Sequence, residues 1–219
     1  MESVTSGAAL EAEVRKVTEL DDPAVAEEAP MEKTESPEHV AFREFTGGQE
    51  LARVVFSADK IAGCVRAMGR AITEAYPPDA NILVLGLLKG SFVFLGDLVR
   101  WIRRPIHVDF LVASSYGKGT TTSGEVKLLY DPSAPMRGRH LILVEDIVDS
   151  GTTLNRLIGS LWKREPASVE VCALLHKHIA KDLVIEPRWV GFDAPPDFLV
   201  GYGLDHAEDF RHLPFIASL

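Results

Sequence analysis

The chain has 219 residues, enough for one ordinary domain with an appendage, and a formal net charge of −9. The first fifty residues hold 13 acidic against 4 basic side chains, which leaves 19 of each in residues 51–219. A net-neutral domain behind an acidic segment offers no basic face, so composition argues against a nucleic-acid partner.

Residues 1–50 are rich in Glu, Ala, Thr and Ser, with Pro23, Pro30 and Pro37 along them, and show no apolar periodicity long enough to bury a face. Disorder is the expected state of such a segment. It has neither the basic start and apolar centre of a signal peptide nor the basic character of a transit peptide, so a soluble, cytoplasmic protein is expected. Residues 51–219 show no repeat and no linker, and read as a single domain.

Ser57 stands as N-cap before a helix carrying Ile61, Val65, Met68 and Ile72, which Pro77-Pro78 terminate. Ile82 to Leu88 predicts a buried strand. The Lys89-Gly90-Ser91 turn then opens a helix with Phe92, Leu95, Leu98 and Val99. Residues 82–102 resemble a membrane span in hydropathy, but Lys89 and Asp97 would each cost roughly 2.5–3.5 kcal/mol in a bilayer, and three glycines interrupt the run. Pro105 to Val112 is the next strand, followed by the polar, glycine-bounded loop 117–124. Cys64 and Cys172 are far apart and lack metal-ligand spacing, as buried small apolar residues do.

The densest signal is Leu141 to Leu154. Four aliphatics, Leu141–Val144, predict a buried parallel strand. Glu145, Asp146 and Asp149 follow, then Ser150, Gly151, Thr152 and Thr153, and then a helix with Leu154, Leu157, Ile158 and Leu161 on one face. Ligands of open α/β sheets bind beyond the carboxyl ends of the strands. A Ser-Gly-Thr-Thr turn opening a helix presents backbone N–H groups, hydroxyls and the positive end of the helix dipole to a phosphate. Glu145 and Asp146 suit the diol of a ribose or a hydrated Mg²⁺. The combination implies a phosphorylated sugar as ligand. The competing reading makes the acids and hydroxyls ordinary helix caps. Val169–Leu175 is a further strand, and residues 187–200 hold one or two short ones. Alternating strands and helices predict a mostly parallel α/β sheet flanked by helices.

The motif Val144-Glu-Asp-Ile-Val-Asp-Ser-Gly151 resembles the phosphoribosyl pyrophosphate (PRPP) motif of the type I phosphoribosyltransferases, in the wording of their hypoxanthine-guanine branch. The resemblance continues through Gly86–Ser91, Ser114–Gly117, Leu174–Lys177 and Phe198–Asp205, in the family's order, and covers roughly residues 50–219. It implies the family fold, with a small hood over the base, and the transfer of phosphoribose from PRPP to a 6-oxopurine with Mg²⁺. It also implies a homodimer or homotetramer.

By this resemblance Asp149 handles the proton at purine N7, and Ser150–Thr153 hold the 5′-phosphate. Leu88, Lys89 and Gly90 form a pyrophosphate turn, often with a non-proline cis peptide before the Lys, and Arg211 binds pyrophosphate. Ser115 and Tyr116 start a mobile lid. Lys177 donates to the oxygen at purine C6, Phe198 stacks on the base and the Leu199 backbone reads its edge. Asp205 lies near the metal-bound pyrophosphate, so Glu145, Asp146 and Asp205 are the metal candidates. Neither hypoxanthine, guanine nor xanthine is singled out, since they differ only at C2. His176 and His178 depart from the family pattern and read as an exposed pair at a strand end. Two other classes share such a fold: a non-catalytic, nucleotide-sensing, RNA-binding regulator, and a receiver-like signalling domain. The first needs a basic face that a net-neutral domain does not offer, and the second leaves the Ser-Gly-Thr-Thr turn and the loop 117–124 idle.

Overall fold

Leu141–Val144 lie at the centre of a six-stranded sheet and are wholly buried. The computed structural model describes residues 51–114, 127–179 and 182–219, with Thr46 and Gln49. Most of the acidic first fifty residues, Ser115, Tyr116 and the loop 117–124 lie outside the described residues. Among the described residues, no helix is long and apolar enough to cross a membrane.

All described elements belong to the unit Arg53–Leu219. They are β1 (Arg53–Phe56), α1 (Ala58–Ala75), β2 (Ile82–Leu88), α2 (Phe92–Val99), β3 (Ile106–Ser114), β4 (Lys127–Tyr130), β5 (His140–Val148), α3 (Thr152–Trp162), β6 (Ser168–His176), β7 (Trp189–Asp193), β8 (Leu199–Val200) and β9 (Ile216–Ser218). The main sheet has the order β4-β3-β2-β5-β6-β7, and only the β3–β4 pair is antiparallel. A small antiparallel sheet, β1-β9-β8, forms the hood.

Both faces of the central strands are covered, which is why Ile82–Leu88 and Leu141–Val144 are continuously apolar. On one face α1 and α2 bury Ile61, Val65, Ile72, Phe94 and Leu98 against Ile82, Val84, Ile142 and Val144. On the other, α3 buries Leu154, Leu157, Ile158 and Leu161 against Leu83, Leu85, Leu143 and Val171. Ser57 caps α1 as its sequence predicts, accepting from the Lys60 backbone N–H at 3.4 Å. The hood is tied down by a Phe56–Phe192 stack at 4.3 Å and by Tyr202, whose hydroxyl donates to Asp97 on α2 at 2.7 Å.

Two expectations need correction. β5 does not stop at Val144 but runs on to Val148, because β6 continues beside it as far as His176. Glu145 and Asp146 are therefore part of the strand. The His pair is not exposed as a pair: His176 is 4% exposed at the end of β6 and only His178 faces solvent. Their rings lie 3.9 Å apart, and His178 Nε2 meets Asp193 Oδ1 at 2.5 Å.

Phe94 is fully buried between α2 and the sheet. Phe94→Ala is expected to lower stability by about 3–5 kcal/mol, through lost burial and the cavity left behind. Urea denaturation followed by circular dichroism checks this.

Candidate active site

The chain order reverses between β2 and β5: β3 lies on one side of β2, and β5 with its successors on the other. Such a switch point opens a crevice at the carboxyl ends of the strands. Here it is deepened because β2 and β5 pair only as far as Gly86 and Val144. Both strands run on past that last pair, β2 to Leu88 beside β3 and β5 to Val148 beside β6, so they part where β5 carries the acids Glu145 and Asp146.

Glu145 is buried, and Asp146 partly so. Burial, followed by repulsion from Asp146, holds the Glu145 carboxyl well above the usual carboxylate range. Burial likewise pushes Asp146 up to about 6, against backbone hydrogen bonds at Ile147 and Asp146 and the attraction of Arg211, with Asp205 adding repulsion. A protonated carboxyl is donor and acceptor at once, which suits a sugar diol. The oxygen-only donor set also fits a hydrated Mg²⁺, which needs no more than one or two carboxylates. Among the described residues, no three His, Cys, Asp or Glu side chains form a ready metal cage.

Gly90 shows why the crevice is tight. A Cβ there would overlap the Asp146 carboxylate, and one at Gly203 (φ 102°) would overlap the Gly90 carbonyl. The hood loop, the 88–90 turn and the strand-end acids are thus layered backbone against side chain. The turn is closed by Ser91, whose hydroxyl donates to Leu87 O at 2.7 Å, and the Leu88–Lys89 peptide is cis.

Beyond β5 the chain turns at Asp149-Ser150-Gly151 into α3. Gly151 is the N-cap, with φ 74° and ψ −3°, a left-handed conformation that glycine adopts without steric cost. No side chain caps the helix, whose ladder opens with Asn155 N–H donating to Gly151 O at 2.9 Å. The preceding N–H groups of the first turn have no intrahelical acceptor. Ser150 Oγ reaches Thr152 Oγ1 at 3.3 Å. The reading of these hydroxyls as ordinary helix caps is therefore excluded. Glu145 and residues 147–154 line one open pocket, so strand-end acid, turn and helix start face a common space.

Lys177 follows β6, its backbone N–H donating to Val148 O at 3.0 Å. Its ammonium lies 3.7 Å from Asp149 Oδ2, with the Lys side chain 16% and the Asp side chain 54% exposed. Asp149 therefore faces a cation across the pocket rim and does not cap α3. In the hood, Leu199 is buried on β8 while Phe198 is 56% exposed, so its ring is not part of the core. The Phe198 and His206 rings meet edge to face, with centroids 5.5 Å apart.

At the opposite margin Arg211 Nη2 lies 2.8 Å from Asp205 Oδ1, and Nη1 donates to Gly203 O at 2.8 Å. Lys89 Nζ donates to Glu208 Oε2 at 2.9 Å. Glu208 was not expected here. Its only sequence signal is its place three residues before Arg211.

The sequence pattern of the phosphoribosyl transferase domain matches residues 60–207. This chain belongs to the phosphoribosyltransferase family. It is 42% identical over 167 residues to a hypoxanthine phosphoribosyltransferase of Salmonella typhimurium, across 76% of this chain and 94% of that one. The Escherichia coli protein of the same name is 41% identical over the same shares. Among solved structures, a hypoxanthine-guanine phosphoribosyltransferase from Bacillus anthracis is similar with a TM-score of 0.73 and 40% identity, covering 78% of this chain and 99% of that one. The crevice between β2 and β5 is thus the candidate site of a phosphoribosyltransferase domain.

The raised Asp146 carboxyl has a consequence for stability. The unfolded chain releases this proton near the ordinary carboxylate range, the folded chain only near 6. Between those values the native state binds more protons, so stability falls as pH rises and levels off above about 6. Asp146→Asn is expected to flatten that fall and to gain on the order of 1 kcal/mol at pH 7.5, discounting for partial solvent exposure. Urea titrations at pH 4.5 and 7.5 in the presence of a chelator measure it.

Proposed function

We propose that this chain is a purine salvage enzyme that transfers the 5-phosphoribosyl group of PRPP to hypoxanthine and guanine, releasing pyrophosphate and forming IMP or GMP. The observation that carries the choice of base is the Lys177–Asp149 pair beside the phosphate turn. A 6-oxopurine presents O6 and N7 as neighbours on one edge, where adenine presents an amino group and N7. An ammonium donates to O6, and a carboxylate accepts from a protonated N7. Against adenine the ammonium would face a donor.

In the reaction, N9 of the base bonds to C1 of the ribose as the C1–O bond to pyrophosphate breaks, and the base loses one proton. Asp149 takes that proton and returns it in the reverse direction. Ser150, Gly151, Thr152 and Thr153 bind the 5′-phosphate with hydroxyls and free N–H groups, at the positive end of α3. Glu145 and Asp146 hold the ribose diol. Leu88, Lys89, Gly90 and Arg211 receive the pyrophosphate, placing positive charge where negative charge develops. Glu145, Asp146 and Asp205 would hold Mg²⁺, whose charge offsets that of the phosphates. Phe198 stacks on the base, and the backbone at Leu199 reads its edge. Ser115 and Tyr116 are the candidates for a lid that keeps water from the ribosyl centre.

Asp149→Asn preserves shape and removes the proton acceptor. PRPP binding is expected to persist while turnover falls by about 10²–10⁴-fold. Single-turnover kinetics beside a PRPP binding titration test this, and full turnover in the variant would end the assignment.

A further inference from the structure

The two cations assigned to pyrophosphate already share an anion. Glu208 Oε2 accepts from Lys89 Nζ at 2.9 Å and lies 3.4 Å from Arg211 Nη2, so one carboxylate oxygen bridges both. Arg211 has two further acceptors, Asp205 Oδ1 and Gly203 O, each at 2.8 Å.

These three acceptors are not equally held. Gly203 O is backbone. Asp205 is less exposed and is pinned at its second oxygen by the Glu208 N–H at 2.9 Å. The Glu208 side chain is 65% exposed, and among the described residues its carboxylate meets only the two cations. It is the one acceptor that a side-chain rotation can remove. The backbone at Ala207 and Glu208 is left-handed (φ 53° and 73°), a conformation uncommon outside glycine, and this turn presents the carboxylate to the cations.

Charge shows what the arrangement does. Lys89 and Arg211 against Glu208 and Asp205 sum to zero, so an incoming pyrophosphate gains net positive charge only when Glu208 leaves. With Glu208 in place the flexible Lys89 stem is held towards Arg211, and the two cations do not face each other bare. The cost is competition for the same donors.

We propose that Glu208 is a displaceable place-holder: it occupies the position of a pyrophosphate oxygen in the free enzyme and weakens binding of pyrophosphate, and of the pyrophosphoryl end of PRPP, by competing for Lys89 and Arg211. This rests on the reading of Lys89 and Arg211 as the pyrophosphate cations. Glu208 is a positioning residue and touches no substrate.

The test is product inhibition by pyrophosphate in the full chain with Mg²⁺, comparing the parent with Glu208→Gln, Lys89→Gln and the double variant. Glu208→Gln is expected to tighten pyrophosphate inhibition about two- to five-fold, the range of one exposed ion pair, with the KM for the purine unchanged. The gain should shrink at high salt and vanish in the Lys89→Gln background. A merely structural role would instead weaken pyrophosphate and disturb the purine KM together. Unchanged or weaker inhibition in Glu208→Gln, with Lys89→Gln still impaired, overturns the place-holder alone. Inhibition indifferent to Lys89→Gln overturns the pyrophosphate reading itself, and the place-holder with it.

Discussion

The site depends on β2 and β5 parting at their carboxyl ends. Pairing with β2 ends at Val144, while pairing with β6 carries β5 on to Val148. That parting sets Glu145 and Asp146 at the mouth of a crevice, ends the strand beside Lys177 and aims the chain into α3. Were β5 to stop at Val144, the acids would fall in a solvated loop at ordinary carboxylate values, and the Asp149–Lys177 approach would lose its frame. The cohesion of β5 with β6 is thus the constraint from which the chemistry follows, and the two apolar layers exist to hold it.

Charge is distributed unevenly around that frame. The turn into α3 offers hydroxyls, free N–H groups and a helix dipole, and among the described residues no cation lines its pocket. The centre offers two carboxyls whose burial favours the neutral form, able to donate as well as accept. The far margin carries Lys89 and Arg211, neutralised by Glu208 and Asp205. Such a gradient suits a ligand with one phosphate at one end, hydroxyls in the middle and two phosphates at the other. Backbone closeness enforces the layering, since Gly90 and Gly203 sit where no Cβ fits.

Much of this was legible in the chain itself, and the reasons differ by residue. Leu141–Leu154 is contiguous, so strand, acids, phosphate turn and helix face could be read in one pass. The helix over Ala58–Ala75 announced itself by Ser57 and its apolar period. Lys177, Phe198, Asp205 and Arg211 are remote from that segment, and only resemblance to a family gathers them. The extent of β5 was hidden because two adjacent acids look like the start of a loop. What makes them strand is β6, a tertiary fact. His176 misled for the same reason: a polar residue ending an apolar run reads as exposed, yet β7 and the hydrogen bond from Ala194 N–H to His176 O enclose it. Glu208 was invisible because its meaning comes from Lys89, 119 residues away.

The most direct measurement is pyrophosphate release from PRPP and Mg²⁺ with hypoxanthine, guanine, xanthine or adenine supplied separately. Release with hypoxanthine and guanine but not adenine is the expected result, because Lys177 has a donor to offer and adenine lacks the acceptor. Release with adenine would contradict the reading of the Lys177–Asp149 pair. Silence with all four, in protein that still binds PRPP, would contradict catalysis at this site altogether.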